Sequence, residues 1–283
     1  MTMQRRHCLA LALAPAFAPA FAQTGNQPRI VSVGGAVTET IYALGAQGQL
    51  VGVDTTSLFP VDATKLPQVG YARTLSAEGV LALKPQLLLA SGEAGPPNVL
   101  AQLKQAGVNV EVLDDQHRFE GIVARTQRIG ALCGREREAA AFVAKLQQDW
   151  GARPKPPAGS APKVLFVLAH AGGQLRVAGE GTSADAMLTL AGARNAFAGV
   201  QGYKPLTAEA ALQAAPDVIL CTDQGLQAQG GLDGLLKAPG LALTPAGRAK
   251  RVASMEALLL LGFSPRLPQA VAELTTKLHG RAA

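Results

Sequence analysis

The chain has 283 residues, of which 26 are lysine or arginine and 20 are aspartate or glutamate, giving a formal net charge of +6 at pH 7. Only 4% of the residues are aromatic and no extended basic run occurs, so nucleic-acid binding is not expected. The length suffices for two domains of ordinary size.

The first 22 residues have the pattern of a secretory signal peptide. An Arg5-Arg6 pair precedes an apolar run over residues 9–21, and Ala20-Phe21-Ala22 fits a cleavage site. An apolar run of about 13 residues is too short to span a bilayer, and Cys8 lies too close to the basic start to accept a lipid. We therefore expect a free, exported protein with no membrane insertion.

Strands and helices alternate through residues 23–133, which we predict to form a first lobe. Apolar runs predict strands at 29–33, 50–53, 87–90 and 108–113, with helices at 37–44, 99–106 and 120–132. This order predicts a parallel sheet with helices on both of its faces.

Another helical stretch, residues 136–150, follows without an intervening strand. Its apolar side chains recur at helical spacing, as Ala139, Val143, Leu146 and Trp150. A proline-rich segment comes next. We therefore predict an interdomain helix over 134–152 and a linker over 153–161.

Residues 162–283 repeat the α/β pattern as a second lobe. Strands are predicted at 164–168, 218–221 and, at the sheet edge, 252–254, with helices at 183–191, 208–214, 232–237 and 268–279. The predicted fold class is therefore α/β, with two Rossmann-like lobes whose central parallel sheets are joined by a single long interdomain helix.

One pattern occurs twice, at residues 70–90 and 202–221. In both copies Gly-Tyr leads to Leu-(Ser/Thr)-Ala-Glu, a short apolar helix, a proline and a strand-like run. A unit repeated once at long range indicates two similar lobes. Two lobes indicate a cleft, and each copy presents one tyrosine and one glutamate.

Tyr71 is a candidate metal ligand because it lies in a loop two residues before Arg73. A nearby guanidinium favours the phenolate, and tyrosine is one of the axial ligands that bind haem iron. The alternative is a tyrosine that packs its ring at a domain edge and leaves its hydroxyl in water.

Glu78 and Glu209 occupy matched positions in the two copies. Ser76 and Thr207 are plausible N-caps, so each glutamate lies at a helix start, where the helix dipole alone would favour it. One exposed carboxylate per lobe could also dock onto paired arginines of a partner.

Three further residues are candidates for a wall of the cleft. Tyr203 and Lys204 correspond to Tyr71 and its surroundings, with a simple turn before Pro205 as the alternative. His170 follows the strand at 164–168, and strand ends of such sheets face ligand crevices. It is a candidate second ligand or pocket residue, although a lone histidine is more often structural.

Cys133 and Cys221 are the two cysteines that remain after the signal peptide. Export permits a disulfide, but one cysteine falls in each predicted lobe. We therefore expect two free, buried thiols.

Signatures of catalysis are weak. Gly-x-Ser-x-Gly, His-Glu-x-x-His and P-loop patterns are absent from the sequence, and no Cys/His cluster has zinc spacing. Two aspartate pairs, Asp114-Asp115 and Asp54 with Asp62, lack a complementary acid or base. A binding protein is favoured over an enzyme.

The sequence resembles the periplasmic haem-binding proteins of bacterial haem ABC importers. Three stretches carry the resemblance: residues 32–45 (SVGGAVTETIYALG), 69–81 (VGYARTLSAEGVL) and 179–187 (GEGTSADAM). The first is shared with cobalamin and siderophore binders and indicates the class III superfamily only. The second is much more specific to haem.

The resemblance implies a role for several residues. Tyr71 would be the axial ligand of the haem iron, with Arg73 beside it, and Glu78 and Glu209 would dock on the permease. Many relatives carry an arginine where this chain has Gln224, so support for the tyrosinate is expected from elsewhere, such as Arg73.

The resemblance therefore predicts a monomeric periplasmic carrier. It would hold haem, as transported ligand rather than catalytic cofactor, between its lobes and deliver it to an inner-membrane ABC permease dimer with its ATPase. One alternative is a siderophore or cobalamin carrier of the same fold. A less favoured one is a metal-cofactor enzyme on a two-lobed α/β scaffold.

Overall fold

The computed structural model describes residues 27–157, 159, 161–169 and 174–280. Within these residues the chain forms ten strands and twelve α-helices, arranged around two separate sheets. The predicted signal peptide and His170 lie outside the described residues. Among the helices described, none is both long enough and apolar enough to cross a membrane.

The first lobe is built on a four-stranded parallel sheet in the order β2-β1-β3-β4, as predicted. Its strands are Ile30–Val33 (β1), Leu50–Val53 (β2), Leu87–Ser91 (β3) and Asn109–Leu113 (β4). Its helices are Gly35–Ala43 (α1), Ala77–Leu81 (α2) and Pro97–Gln105 (α3).

Two helices, Phe119–Cys133 (α4) and Glu136–Ala152 (α5), form a hairpin between the lobes. The chain reverses at Gly134, whose φ of 63° is in the left-handed region that glycine adopts without strain. Phe119 at the start of α4 and Leu146 late in α5 pack in the core of the second lobe. Helix α5 is therefore the interdomain helix, and α4 runs antiparallel beside it. The predicted lobe limits stay a prediction.

The second lobe has a mixed sheet, with a main strand order of β10-β9-β5-β6-β8 and with β7 paired to β5. The strands are Lys163–Leu168 (β5), Arg176–Ala178 (β6), Arg194–Asn195 (β7), Tyr203–Pro205 (β8), Val218–Thr222 (β9) and Val252–Met255 (β10). The helices are Ser183–Leu190 (α6), Ala208–Ala214 (α7), Asp223–Ala228 (α8), Gly231–Leu236 (α9), Pro245–Arg248 (α10), Ala257–Leu261 (α11) and Leu267–His279 (α12).

The prediction of a parallel second sheet holds for β10, β9 and β5 but is corrected at β6, which runs antiparallel to both of its neighbours, β5 and β8. Only residues 169–175 separate β5 from β6. A parallel connection needs a crossover of roughly a dozen residues or more, so this short connection forces the chain to turn back.

Both sheets are buried on both faces. Along β1 and β3, Ile30 and Leu89 pack on one side while Val31 and Leu88 pack on the other. In the second lobe, Phe166 and Leu220 face one core and Leu165 and Ile219 the other. Two-sided burial leaves the loops at the carboxyl ends of the strands as the natural place for a ligand.

Candidate ligand-binding site between the lobes

The loops at the carboxyl ends of the two sheets contact each other. Gly35, which begins α1 after β1, lies against Thr56 of the first lobe and Leu258 of the second. A Cβ atom at Gly35 would be 2.5 Å from the Thr56 carbonyl oxygen and 2.8 Å from Leu258 Cδ1. The absence of a side chain at this position therefore lets the lobes approach at the base of the cleft.

Residues 54–71, which we call the tyrosine loop, follow β2 and are anchored at their start by Asp54. Its carboxylate accepts hydrogen bonds from the Gly34 amide (2.8 Å), the Ser57 hydroxyl (2.7 Å) and both the amide and hydroxyl of Thr56 (3.0 and 2.6 Å). Asp54 is buried, and these donors satisfy it. Asp54 therefore fixes the conformation at the start of the loop. Asp62, the aspartate paired with Asp54 in the sequence analysis, is not among its hydrogen-bond partners.

Tyr71 ends the tyrosine loop, and 42% of it is exposed. Gly70 precedes it with a φ of 96°, and the Gly70 carbonyl accepts from the Thr55 amide at 2.9 Å. On the other side, the Gly95 amide donates to the Ala72 carbonyl at 2.9 Å. The backbone around Tyr71 is thus held at two points, while the residue itself is partly exposed.

Arg73 lies close enough to Tyr71 for their charges to interact, and it forms an ion pair with Glu93. Arg73 Nη2 is 2.5 Å from Glu93 Oε1, and both side chains are more than half exposed. Partial burial acts to lower the pKa of Arg73. The hydrogen bond and charge of Glu93, with Tyr71 and Tyr203 nearby, outweigh that effect and leave the pKa raised.

Glu93 is a site residue that the sequence did not single out. It follows β3 in Ser91-Gly92-Glu93, and its amide donates to Asp115 Oδ2 at 3.3 Å. The available signal was its position at the carboxyl end of a buried strand, where loop residues face the cleft.

Tyr203 reaches the same charges from the second lobe. It lies in β8 rather than in a turn, and it is half-buried. Burial raises the pKa of its phenol. A hydrogen bond with Ser183 and the charge of Arg73 act to lower that pKa, while Glu93 acts to raise it. Tyr203 of the second lobe therefore lies within electrostatic range of Arg73 and Glu93 of the first.

The other predicted wall residues differ in their placement. Lys204 is exposed next to Tyr203. Gln224 is exposed in α8, and its Oε1 accepts a hydrogen bond from the Ala257 amide at 3.1 Å. Gln224 thus links α8 to the start of α11. His170 is outside the described residues, so its predicted role stays a prediction.

The two copies of the repeated sequence pattern have similar local structures. Glu78 and Glu209 are both exposed in the first turn of a short helix. Ser76 Oγ accepts from the Gly79 amide at 3.5 Å, and Thr207 Oγ1 accepts from the Ala210 amide at 3.1 Å.

The matching extends to both ends of the repeat. The glycines before the tyrosines, Gly70 and Gly202, have φ of 96° and 70°, and the residues before the prolines, Lys84 and Ala215, have φ of 49° and 39°. The two lobes therefore present equivalent glutamates on equivalent local structures.

Cys133 and Cys221 are free and buried, in the cores of different lobes. Burial raises the pKa of Cys133 to about 11 against a lowering by Arg135, and burial with the charge of Asp223 raises the pKa of Cys221 to about 12. In the described part of the chain, no group of three or more histidine, cysteine, aspartate or glutamate side chains is placed to hold a metal ion.

This chain belongs to the periplasmic binding protein family, whose family model matches residues 30–258. The resemblance identified from the three sequence motifs is thereby confirmed at the level of the family and of its class III fold. The family is one of binding proteins for transport.

Among solved structures, the chain is similar to two periplasmic heme-binding proteins. One is BhuT in complex with two hemes, which is 48% identical, with a TM-score of 0.83 over 89% of this chain and 97% of BhuT. The other is RhuT from Roseiflexus sp. RS-1 in apo form, which is 39% identical, with a TM-score of 0.84 over 89% of this chain and 98% of RhuT.

A curated relative also matches most of the chain. It is YvrC of Bacillus subtilis (strain 168), an uncharacterized ABC transporter substrate-binding lipoprotein. The two are 29% identical over 89% of this chain and 80% of YvrC.

Proposed function

We propose that this protein binds haem between its lobes in the periplasm and delivers it, as a monomer, to an inner-membrane ABC transporter. The observation that carries the proposal is the exposed phenol of Tyr71 beside Arg73, in a chain 48% identical to a relative crystallised with two hemes. The signal-peptide pattern supports export, with cleavage before Gln23.

Tyr71 is the proposed axial ligand of ferric haem. A phenolate is an anionic oxygen donor, and tyrosine is one of the established protein ligands of haem iron. Arg73 lies beside Tyr71, where its charge would offset that of an iron-bound phenolate oxygen. The exposed apolar side chain of Leu58 in the tyrosine loop offers surface for a porphyrin face.

The second lobe supplies the opposite wall in this proposal. Tyr203 is half-buried across from Arg73, and Lys204 is an exposed cation next to it that could meet a propionate. His170 remains the candidate second ligand of the haem iron. Gln224 is the last candidate for this wall, and its side chain contacts the start of α11.

Glu78 and Glu209 are the proposed docking residues for the permease dimer, which acts with its ATPase. This proposal is supported by the similar placement of the two glutamates. Each is exposed, lies in the first turn of a short helix and follows a Ser or Thr N-cap. A dimeric permease offers two equivalent surfaces, and carboxylates paired with arginines form strong, oriented contacts.

The test is to titrate haem into Tyr71→Phe and record the ferric haem spectrum and the affinity. We expect loss of the wild-type spectrum and weaker binding, because the ring remains while the ligating oxygen is removed. Tyr203→Phe is the matched control and should keep the wild-type spectrum. An unchanged spectrum in Tyr71→Phe would overturn the ligand assignment.

The same titration separates the alternative ligands. Vitamin B12 and a ferric siderophore are offered to the wild-type protein in parallel with haem. Binding of either in preference to haem would overturn the proposed cargo.

A further inference from the structure

Glu39 is a buried carboxylate of the first lobe whose hydrogen bonds come from the second lobe. It lies in α1 and is 4% exposed. Its Oε1 accepts from the Ser264 hydroxyl at 2.9 Å and from Arg266 Nε at 3.0 Å, and its Oε2 accepts from Arg266 Nη2 at 2.9 Å. Among the described residues, no first-lobe group donates a hydrogen bond to this side chain.

Arg266 joins Glu39 to the tyrosine loop. Its guanidinium uses two nitrogens on the two oxygens of Glu39, which is the bidentate geometry that lysine cannot reproduce. The guanidinium carbon also lies 3.8 Å from the centroid of the Phe59 ring. A cation over an aromatic face is attracted to it. One second-lobe side chain thus touches both α1 and the loop that ends at Tyr71.

The segment that carries Arg266 is held at a second point. Phe263, three residues earlier, has a φ of 46°. Its carbonyl accepts a hydrogen bond from Nη2 of Arg125, a buried residue of α4. Arg125 Nη1 also lies 3.7 Å from Asp115 Oδ1, in the loop after β4. Residues 263–266 therefore contact α1, the tyrosine loop and the interlobe hairpin together.

Moving the lobes apart at this place would separate Glu39 from its donors. Breaking a buried pair so that one charge remains without a partner is strongly unfavourable. The Arg73–Glu93 pair lies within the first lobe and is more than half exposed, so parting the lobes does not break it.

We propose that Glu39 and Arg266 form a fixed pivot between the lobes, and that Arg266 acts through Phe59 as a positioning residue for the tyrosine loop. Relative motion of the lobes is then confined to the Arg73–Tyr203 rim. The pivot itself is independent of the ligand, whereas its effect on haem affinity rests on the proposed function.

The pivot is tested without ligand by measuring the distance between spin labels on the two lobes. Labels are attached at Lys104→Cys and Lys237→Cys, two exposed positions. Arg266→Lys should broaden the distance distribution, because lysine keeps the charge but cannot contact Glu39 through two nitrogens or stack a planar group on Phe59. Arg251→Lys is the control, since Arg251 donates to the Leu278 carbonyl within the second lobe. An unchanged distribution in Arg266→Lys would overturn the pivot.

The positioning role is tested separately with Phe59→Ala. Phe59 is 40% exposed, and its removal leaves the Glu39–Arg266 pair in place. Amide hydrogen exchange should accelerate several-fold in peptides covering residues 55–71, with an unchanged interlobe distance and melting temperature. Exchange at the wild-type rate would overturn the positioning role.

Haem affinity provides the last measurement. Both Arg266→Lys and Phe59→Ala should weaken haem binding several-fold while the Tyr71 spectrum is retained, and wild-type affinity in both would overturn the link to the ligand. If wild type itself binds no haem, the proposed function fails. The distance and exchange measurements then still decide the pivot and the positioning role.

Discussion

Arg73 Nη2 lies 2.5 Å from Glu93 Oε1, so the cation beside Tyr71 is paired with a carboxylate of the same lobe. The pair joins the loop after β3 to the residues that follow the tyrosine loop. If Tyr71 ligates iron as proposed, Glu93 would compete with its phenolate oxygen for the Arg73 guanidinium.

Glu93→Gln is expected to tighten ferric haem binding. Without the carboxylate, Arg73 is free to pair with the phenolate that ligates iron. Exposed pairs contribute about 0.2–1 kcal/mol, so the gain in affinity is at most about fivefold. Haem titration measures it. Glu111→Gln is the control, because Glu111 of β4 pairs with Arg128 of α4 rather than with Arg73. A weaker affinity in Glu93→Gln would contradict the competition.

Charge reversal at Glu78 and Glu209 is expected to abolish stimulation of the transporter ATPase while haem binding remains. Each reversal would replace the proposed attraction to a permease cation by repulsion, and each single variant should retain part of the stimulation. Reversal in the first helical turn costs about 0.3–1 kcal/mol of stability.

Glu136→Lys is the matched control for this experiment, since Glu136 is an exposed glutamate in the first turn of α5. Loss of stimulation in this control would show a general charge effect and would count against specific docking.

The two buried thiols are expected to react with a thiol reagent only on unfolding. Burial keeps both protonated at neutral pH, since their pKa values are raised to about 11 and about 12. The rate at which a chromogenic thiol reagent reacts with the native and with the denatured protein measures this difference. Rapid labelling of the native protein at pH 8, one unit below the ordinary thiol pKa of 9.0, would contradict the raised pKa values.

The same thiols give a pH dependence of stability. Above the unfolded pKa of 9.0, the unfolded chain releases thiol protons that the folded chain retains. The free energy of unfolding therefore falls as pH rises from 9.0 towards about 11 and about 12, by at most about 1.4 kcal/mol per pH unit for each thiol. Urea unfolding of wild type and Cys133→Ala/Cys221→Ala should differ in this slope.

Gly35→Ala is expected to destabilise the protein by about 1–3 kcal/mol, because the new Cβ would overlap the Thr56 carbonyl and the Leu258 side chain. Gly48→Ala is the control, since nothing lies within 4 Å of a Cβ built there. Denaturant midpoints measure both. Equal midpoints would mean that the lobes adjust at this contact without cost.

The central strands and the repeat were readable from the sequence because their signals are local. The apolar runs of β3 and β9 are long enough to be recognised as strands. The Ser and Thr N-caps predict where the two helices that carry Glu78 and Glu209 begin. Strands β6 and β8 were missed, since three residues carry no period. The antiparallel direction of β6 follows from the short connection after β5.

The interlobe contacts could not be read in this way. Glu39 lies among Val37, Thr38 and Thr40 in a helix, and its partner Arg266 is 227 residues away. Nothing local distinguishes it from a glutamate that faces water. Glu93 likewise can be recognised as a site residue only from its ion pair with Arg73. That pair forms only once the loops after β2 and β3 lie at the same edge of the cleft.

The closing helix α12 also bears on the order in which the two lobes can be completed during synthesis. Val271, Leu274 and Leu278 belong to the same core as Phe119 of α4. All strands of the first sheet have been synthesised once the chain reaches Leu113, whereas the second core lacks part of its wall until the chain reaches Leu278. A nascent or C-terminally shortened chain would therefore expose the apolar side of its interlobe hairpin, the surface that chaperones and proteases recognise.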